Sequence, residues 1–239
     1  MKKVAVLSIA IAFCLVQAKA QKVIIPEIGG EAPSFTAQST EGKVNFPSDY
    51  GDQWKILFSH PKDFTPVCSS EILELAYEQQ TFHNLDASLV VVSTDVIEQH
   101  KNWKAALEEI SYGERDPVKI DFPLVADNEL EIATLYGMVH SESSISKNIR
   151  GVYFIDPDNT IKAIQFYPNE VGRSVEEIKR TLVALQATYA NNNMVTPVNW
   201  QPGDDVIVPV LSQEDRKTIG TPGSEYYQLA WFMVFKKTN

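Results

Sequence analysis

The chain has 239 residues, with 31 acidic side chains against 21 basic and a formal net charge of −10. So acidic a composition argues against nucleic acid and anionic membrane surfaces as partners. The length allows one large or two small domains with an ample core, and the cysteines are Cys14 and Cys68.

Residues 1–20 stand apart from the rest. Lys2-Lys3 precedes the apolar stretch Val4–Val16, and Ala18-Lys19-Ala20 supplies small residues for cleavage. This is the layout of a secretory signal peptide, and the stretch is short for a membrane span. Export to the periplasm or the cell exterior is therefore expected, with cleavage near Ala20 and loss of Cys14. Removing Lys2, Lys3 and Lys19 leaves 18 basic against 31 acidic residues, a net charge of −13. Cys68 would then be the sole cysteine, and an unpaired thiol in an exported protein calls for a chemical reason.

Taken in chain order, residues 21–30 read as an extended arm without periodicity, and Lys43–Phe46 alternates like a short strand. The run Ile56–Ser59 reads as a buried strand. From Ser69 onward Ile72, Leu75, Ala76 and Phe82 recur at roughly helical spacing. Thr65 suits the N-cap of that helix, Pro66 its first position, and Glu71 falls early in it. Cys68 is thereby expected in the first turn, where unpaired backbone N–H groups and the positive dipole end favour a thiolate. Leu89–Ser93 reads as a central strand buried on both faces. A helix over Val96–Ile110, a strand at Phe122–Val125 and a helix at Glu129–Tyr136 stopped by Gly137 follow. Gly151–Ile155 and Ile161–Gln165 flank the turn Asp156-Pro157-Asp158-Asn159, a strong hairpin signal. Ser174 caps an amphipathic helix, Val175–Tyr189. Asn191–Asn193 reads as a linker, and Pro197–Asn239 as a small domain with strands in Val206–Leu211 and Tyr226–Phe235. Strands alternating with helices, then a hairpin and a helix, indicate an α/β layered domain.

Pro61, Thr65, Cys68 and Glu71 match the P-x-x-x-T-x-x-C-x-x-E signature of peroxiredoxins. The string HPKDFTPVCSSE at 60–71 is similar to their single-cysteine (1-Cys) subfamily in particular. Ala32–Phe35 resembles the start of that family's core, and TPVNW at 196–200 with the following Gly203-Asp204-Asp205 resembles its C-terminal extension. The resemblance implies a thioredoxin-like fold over 21–190, a mixed central sheet flanked by helices, and a C-terminal peroxiredoxin domain over 194–239. It implies a homodimer, with the C-terminal segment reaching the partner's active site. It also implies a thiol-dependent peroxidase acting on hydrogen peroxide and organic hydroperoxides.

Such an enzyme needs a thiolate that attacks one peroxide oxygen, and donors that stabilise the charge developing on the other. Cys68 would be the nucleophile, ending as sulfenic acid. The Thr65 hydroxyl can accept a capping N–H while its own proton points at the thiolate or peroxide. Pro61, lacking an N–H, can pack over the sulfur and limit water. The resemblance assigns the required cation to Arg150, a second arginine to Arg173, and an active-site histidine to His60. Glu71 would orient the arginines.

With no second cysteine, an external thiol must reduce the sulfenic acid, and no cofactor is expected. His83, His100 and His140 show no metal-ligand spacing, and one cysteine cannot build a structural zinc site, so no metal is expected. Some members of the subfamily carry a lipase-like G-x-S-x-G; here Gly51-Asp52-Gln53-Trp54-Lys55 has Gln53 for the serine, and lipase activity is not carried over. Two other readings compete. A thiol–disulfide oxidoreductase on this fold would need the C-x-x-C that is absent, and a redox sensor or holdase would use Cys68 oxidation to alter assembly.

Overall fold

The computed structural model describes residues 23–144 and 146–238, so the expected leader and Cys14 lie outside the described residues. Strands β1 (Phe35–Ser39) and β2 (Gly42–Phe46) form a hairpin ahead of β3 (Trp54–Ser59). Then come α1 (Pro66–Asn84), β4 (Ala87–Ser93), α2 (Ile97–Leu107), β5 (Leu124–Ala126) and α3 (Glu131–Leu135). The hairpin β6 (Arg150–Ile155) and β7 (Ile161–Tyr167) and the helix α4 (Val175–Ala190) complete the larger unit. Its sheet runs β2-β1-β5-β4-β3-β6-β7, with β3, β4 and β5 parallel at the centre and antiparallel strands on either side. This is the layered α/β domain that the residue pattern indicated, with the mixed, helix-flanked thioredoxin-like sheet that the family resemblance implied.

Strict alternation along the central strands builds two cores. Ile56 and Phe58 of β3, Leu89 and Val91 of β4, and Val152 and Phe154 of β6 face the cluster that holds Cys68 and α1. Leu57, Val90, Val92, Tyr153 and Ile155 face the opposite cluster with Ala133 and Tyr136. A residue buried on this scale contributes about 1.5–3 kcal/mol, which is why near-continuous apolar runs suit strands covered on both faces.

Several element limits move. The thiol helix starts at Pro66 with Thr65 as N-cap, as expected, but the second helix is shorter at both ends than Val96–Ile110, and the strand expected at Phe122–Val125 lies at Leu124–Ala126. Residues 23–30 form no strand, yet they are tied down: the Gly29 N–H donates to the Ile161 carbonyl at 2.8 Å and the Ile161 N–H to the Gly30 carbonyl at 2.9 Å. The arm also needs Gly137, whose φ is +62° and where a Cβ would stand 2.7 Å from the Ile24 carbonyl oxygen.

The C-terminal region departs most from its reading. Tyr226–Phe235 is not one strand but a hairpin, β9 (Tyr226–Ala230) and β10 (Met233–Lys236), turning at Trp231-Phe232. Only Val206–Ile207 of the expected Val206–Leu211 strand is one, β8, and it pairs with β10. A short helix, α5 (Gln213–Thr218), lies between them, capped by Ser212 accepting from the Asp215 N–H at 3.0 Å. The region packs on α4 through Trp200 and Val206 against Ala184.

Candidate active site

The parallel centre of the sheet directs the chain from β3 into the loop 60–65 and then into α1. Thr65 occupies the N-cap with extended backbone and Pro66 opens the helix, so Cys68 falls in the first turn. The register of β3 with β6 pairs Phe58 with Val152, which puts Arg150 beside the same loop. Arg173 arrives from the segment just ahead of α4. Thus one helix, one hairpin strand and one loop deliver the thiol, Glu71 and two arginines to a common point.

Glu71 is the hub. Its Oε2 accepts from Arg150 Nη1 at 2.6 Å and from Arg173 Nη2 at 2.8 Å, while Oε1 accepts from both the backbone N–H and Nε of Arg173 at 2.8 Å. Arg150 Nη1 also donates to Cys68 Sγ at 3.3 Å. The rest of the Arg150 fork is taken up by the Asn169 carbonyl, at 3.0 Å from Nε and 2.8 Å from Nη2. Arg173 Nη1 donates to the Gly151 carbonyl at 2.9 Å, and its guanidinium lies 3.3 Å over the Phe58 ring. All four side chains are buried, and Cys68 is 0% exposed. Burial pulls the Arg173 pKa down, and the Glu71 carboxylate opposes that pull. Close packing depends on Gly151, where a Cβ would stand 2.9 Å from Met138 Sδ and 3.1 Å from Ser59 Oγ.

Cys68, Glu71, Arg150 and Arg173 are therefore brought together as the sequence suggested. Thr65 is not arranged as expected. It accepts no capping N–H, and its hydroxyl donates to the Lys62 carbonyl at 2.9 Å, an i−3 bond that closes the loop on itself. Pro61 is buried in that loop and accepts from Thr94 Oγ1 at 3.3 Å through its carbonyl. His60 is fully buried with no hydrogen-bond partner on either ring nitrogen, and it sits 5.0 Å, centroid to centroid, from Trp103. Burial pushes its pKa well below the ordinary value, reinforced by His100, Arg173 and Arg150 nearby, so the ring is neutral. At the former lipase-like stretch Gln53 Oε1 accepts from Ser88 Oγ at 2.7 Å, and Lys55 is buried in β3.

Sequence reasoning missed the polar residues behind the loop: Asp63, Ser93, Asp95, His100, and the Asn169 carbonyl that holds Arg150. The one available signal was general: ligands and chemistry gather at the carboxyl ends of parallel strands, where Ser93 and Asp95 lie. Among the described residues, no three His, Cys, Asp or Glu side chains are disposed to hold a metal ion.

Comparison with known proteins agrees with this geometry. The AhpC/TSA family model matches residues 28–164, and the model for the C-terminal domain of 1-Cys peroxiredoxin matches 184–220. A peroxiredoxin of Methanosarcina mazei is 42% identical over 216 residues, covering 89% of this chain and 98% of the relative. A 1-Cys peroxiredoxin of Dictyostelium discoideum is 36% identical over 197 residues, 82% of this chain and 79% of the relative. Among solved structures, the yeast mitochondrial 1-Cys peroxiredoxin superposes with a TM-score of 0.78 at 35% identity, covering 89% of this chain and all of that one. A cysteine-to-serine variant of peroxiredoxin 6 from Arenicola marina gives 0.75 at 30% identity, covering 89% and 98%. A matched active-site string, a matched fold and two matched family domains, over 28–164 and 184–220, leave one conclusion: the chain belongs to the AhpC/TSA peroxiredoxin family and is of the 1-Cys kind.

Proposed function

We propose that this chain, a thiol-dependent peroxidase by family, reduces hydrogen peroxide and organic hydroperoxides through Cys68 alone. The observation that carries the reading is Arg150 Nη1, shared between Cys68 Sγ at 3.3 Å and Glu71 Oε2 at 2.6 Å. A guanidinium donor on the sulfur, in a site closed to water, favours the anionic nucleophile and stays in reach of the oxygen that departs. The thiolate attacks one peroxide oxygen. As the S–O bond forms the O–O bond breaks, and the leaving hydroxide or alkoxide takes a proton to become water or alcohol. Cys68 is left as sulfenic acid. Pro61 shields the sulfur, Thr65 closes the loop beside it, Glu71 and Arg173 fix Arg150, and neutral His60 lines the interior of the site.

An external thiol then attacks the sulfenic sulfur and releases water, and a second thiol cleaves the mixed disulfide. Either a small thiol or a thiol protein fits this chemistry, and the cycle calls for no cofactor. The yeast relative's structure concerns thiol resolution through glutathione and thioredoxin systems, which supports a reductant of this class. We further read the protein as an exported homodimer. Export is supported by the leader-like residues 1–20, and self-association by the open edge of β7 and by Trp231 and Phe232, 81% and 66% exposed on the β9–β10 turn.

Stopped-flow tryptophan fluorescence of the protein from Gln21 onward, mixed with hydrogen peroxide, tests the central claim. A second-order change far faster than the reaction of free cysteine, absent in Cys68→Ser, is expected. Oxidation of Cys68 no faster than free cysteine would refute it. N-terminal sequencing of the exported protein and its sedimentation mass test the other two claims.

A further inference from the structure

Behind the thiol loop lies a buried polar cluster with no part in the chemistry above. Asp63, 1% exposed, shares a hydrogen bond between Oδ2 and His100 Nδ1 at 2.7 Å, and its Oδ1 accepts from Ser93 Oγ at 3.3 Å. Its own backbone N–H donates to Asp95 Oδ2 at 2.7 Å. His100, on α2 and wholly buried, has its other nitrogen 3.2 Å from the Val125 carbonyl on β5. The imidazole thus stands between a carboxyl group and a carbonyl. Both contacts are hydrogen bonds when each ring nitrogen carries a proton and Asp63 is ionised, or when a protonated Asp63 donates to Nδ1 and Nε2–H donates to the carbonyl. In either form Asp63 and His100 hold two protons between them and act as one unit tying the loop to α2 and β5.

This tie falls where the loop is least comfortable. Phe64, the next residue, has φ +54°, a left-handed conformation that disfavours a bulky side chain, and it is 57% exposed. Its ring has one aromatic neighbour, Trp103 at 6.5 Å between centroids, and most of its surface is left in solvent. On its other flank Asp63 Oδ1 stands 3.6 Å from His60 Nε2, too far for a hydrogen bond, so the carboxylate leans on His100 and not on the site histidine. Burial pushes Asp63 toward its protonated form, and the His100 bond pulls it back.

We propose that His100 is a positioning residue for peroxide reduction: through Asp63 it holds the loop 60–65 closed over Cys68. The proposal rests on Cys68 being the peroxidatic thiol. Without the tie, the left-handed turn at Phe64 relaxes, Pro61 and Thr65 leave the sulfur, and the helix start shifts relative to Arg150. Small misplacements of this kind are costly to a positioned reaction and harmless to an unpositioned one.

Two rates on the same variants test this: oxidation by hydrogen peroxide and alkylation of Cys68 by iodoacetamide, with circular dichroism to confirm folding. For His100→Leu, oxidation should slow by about tenfold or more while alkylation quickens, since an open loop exposes the sulfur. His100→Asn puts an amide N–H near the place of Nδ1 and should restore both rates to within about threefold of the native values. A defect of packing alone would not be rescued by asparagine. If leucine prevents folding, Asp95→Ala, which removes the acceptor of the Asp63 N–H, should give the same opposed shifts. Native rates in the leucine or alanine variant, both rates falling together, or asparagine behaving as leucine would each overturn the proposal. A native protein no faster than free cysteine would sink the peroxidase reading itself, whereas a fast native protein indifferent to these variants would sink only the role of His100.

Discussion

At its N-terminal end β3 buries the ammonium of Lys55; beyond its C-terminal end the fold buries two guanidiniums. Lys55 Nζ donates to the carbonyls of Gly51 at 2.7 Å and of Asp156 and Pro157 at 3.4 Å. Burial lowers its pKa, and the carboxylates of Asp156, Asp52 and Asp158 raise it. Three carboxylates lie near that cation, and burial still outweighs them. At the other end Arg150 and Arg173 share the single carboxylate Glu71, and the next group in contact is the Cys68 sulfur. Two cations share one fixed anion, and the remaining donor is directed at the Cys68 sulfur. A buried charge is tolerable where it is compensated; the first end is compensated by carbonyls and nearby carboxylates, the second by one carboxylate shared between two guanidiniums with the Cys68 sulfur beside them.

Breaking the hub should have the largest effect. Glu71→Gln leaves two buried guanidiniums without a carboxylate, and stability should fall by about 3–5 kcal/mol in urea unfolding. Retention of native stability would mean that the arginines are compensated by something other than Glu71. Arg150→Lys keeps the charge but cannot serve the sulfur, Glu71 and the Asn169 carbonyl together. Its peroxide rate constant should drop roughly 10²-fold, about 2.7 kcal/mol, in the stopped-flow assay. A lysine enzyme at native speed would show that charge alone suffices.

At the opposite end Lys55→Met orphans the Gly51 carbonyl, and should cost about 1–2 kcal/mol of stability while leaving the peroxide rate unchanged. A large rate loss there would erase the contrast between the two ends. The last effect, comparable in size to the Lys55 one, is of pH. His60 is depressed in the folded state, so between its folded pKa and 6.5 the unfolded chain binds the extra proton, and stability falls as pH drops. The slope from this residue reaches about 1.4 kcal/mol per pH unit. Thermal melts from pH 7 to pH 5 should show it, and His60→Gln should flatten it.

The legible part of the site was the part written locally. Thr65, Pro66 and Cys68 announce a helix start by residue type and offset, and β3 announces itself by an unbroken apolar run. The β9–β10 turn was not legible, because Trp231 and Phe232 occupy a position where turn residues are expected and so extend an apolar run across it. α5 carries no apolar face at all, and only the spacing of Ser212 and Asp215 could have marked it. Asp63 and His100 are 37 residues apart, and no periodicity relates a loop carboxylate to a helix imidazole. The arginines were found by likeness to relatives and not by spacing, since β6 reaches the thiol only through its register with β3.

The complete burial of Cys68 also separates the two halves of a catalytic cycle by molecular size. A peroxide is little larger than water and can enter a nearly closed site. A thiol protein cannot bring its sulfur to a fully buried Cys68 unless the residues that cover it move aside. Turnover with such a reductant would therefore stop rising with its concentration once the opening rate is reached, while a tripeptide-sized thiol would meet that ceiling later. The ceiling is set by the same burial that keeps water from the thiol, so a site closed more tightly would be slower to recover.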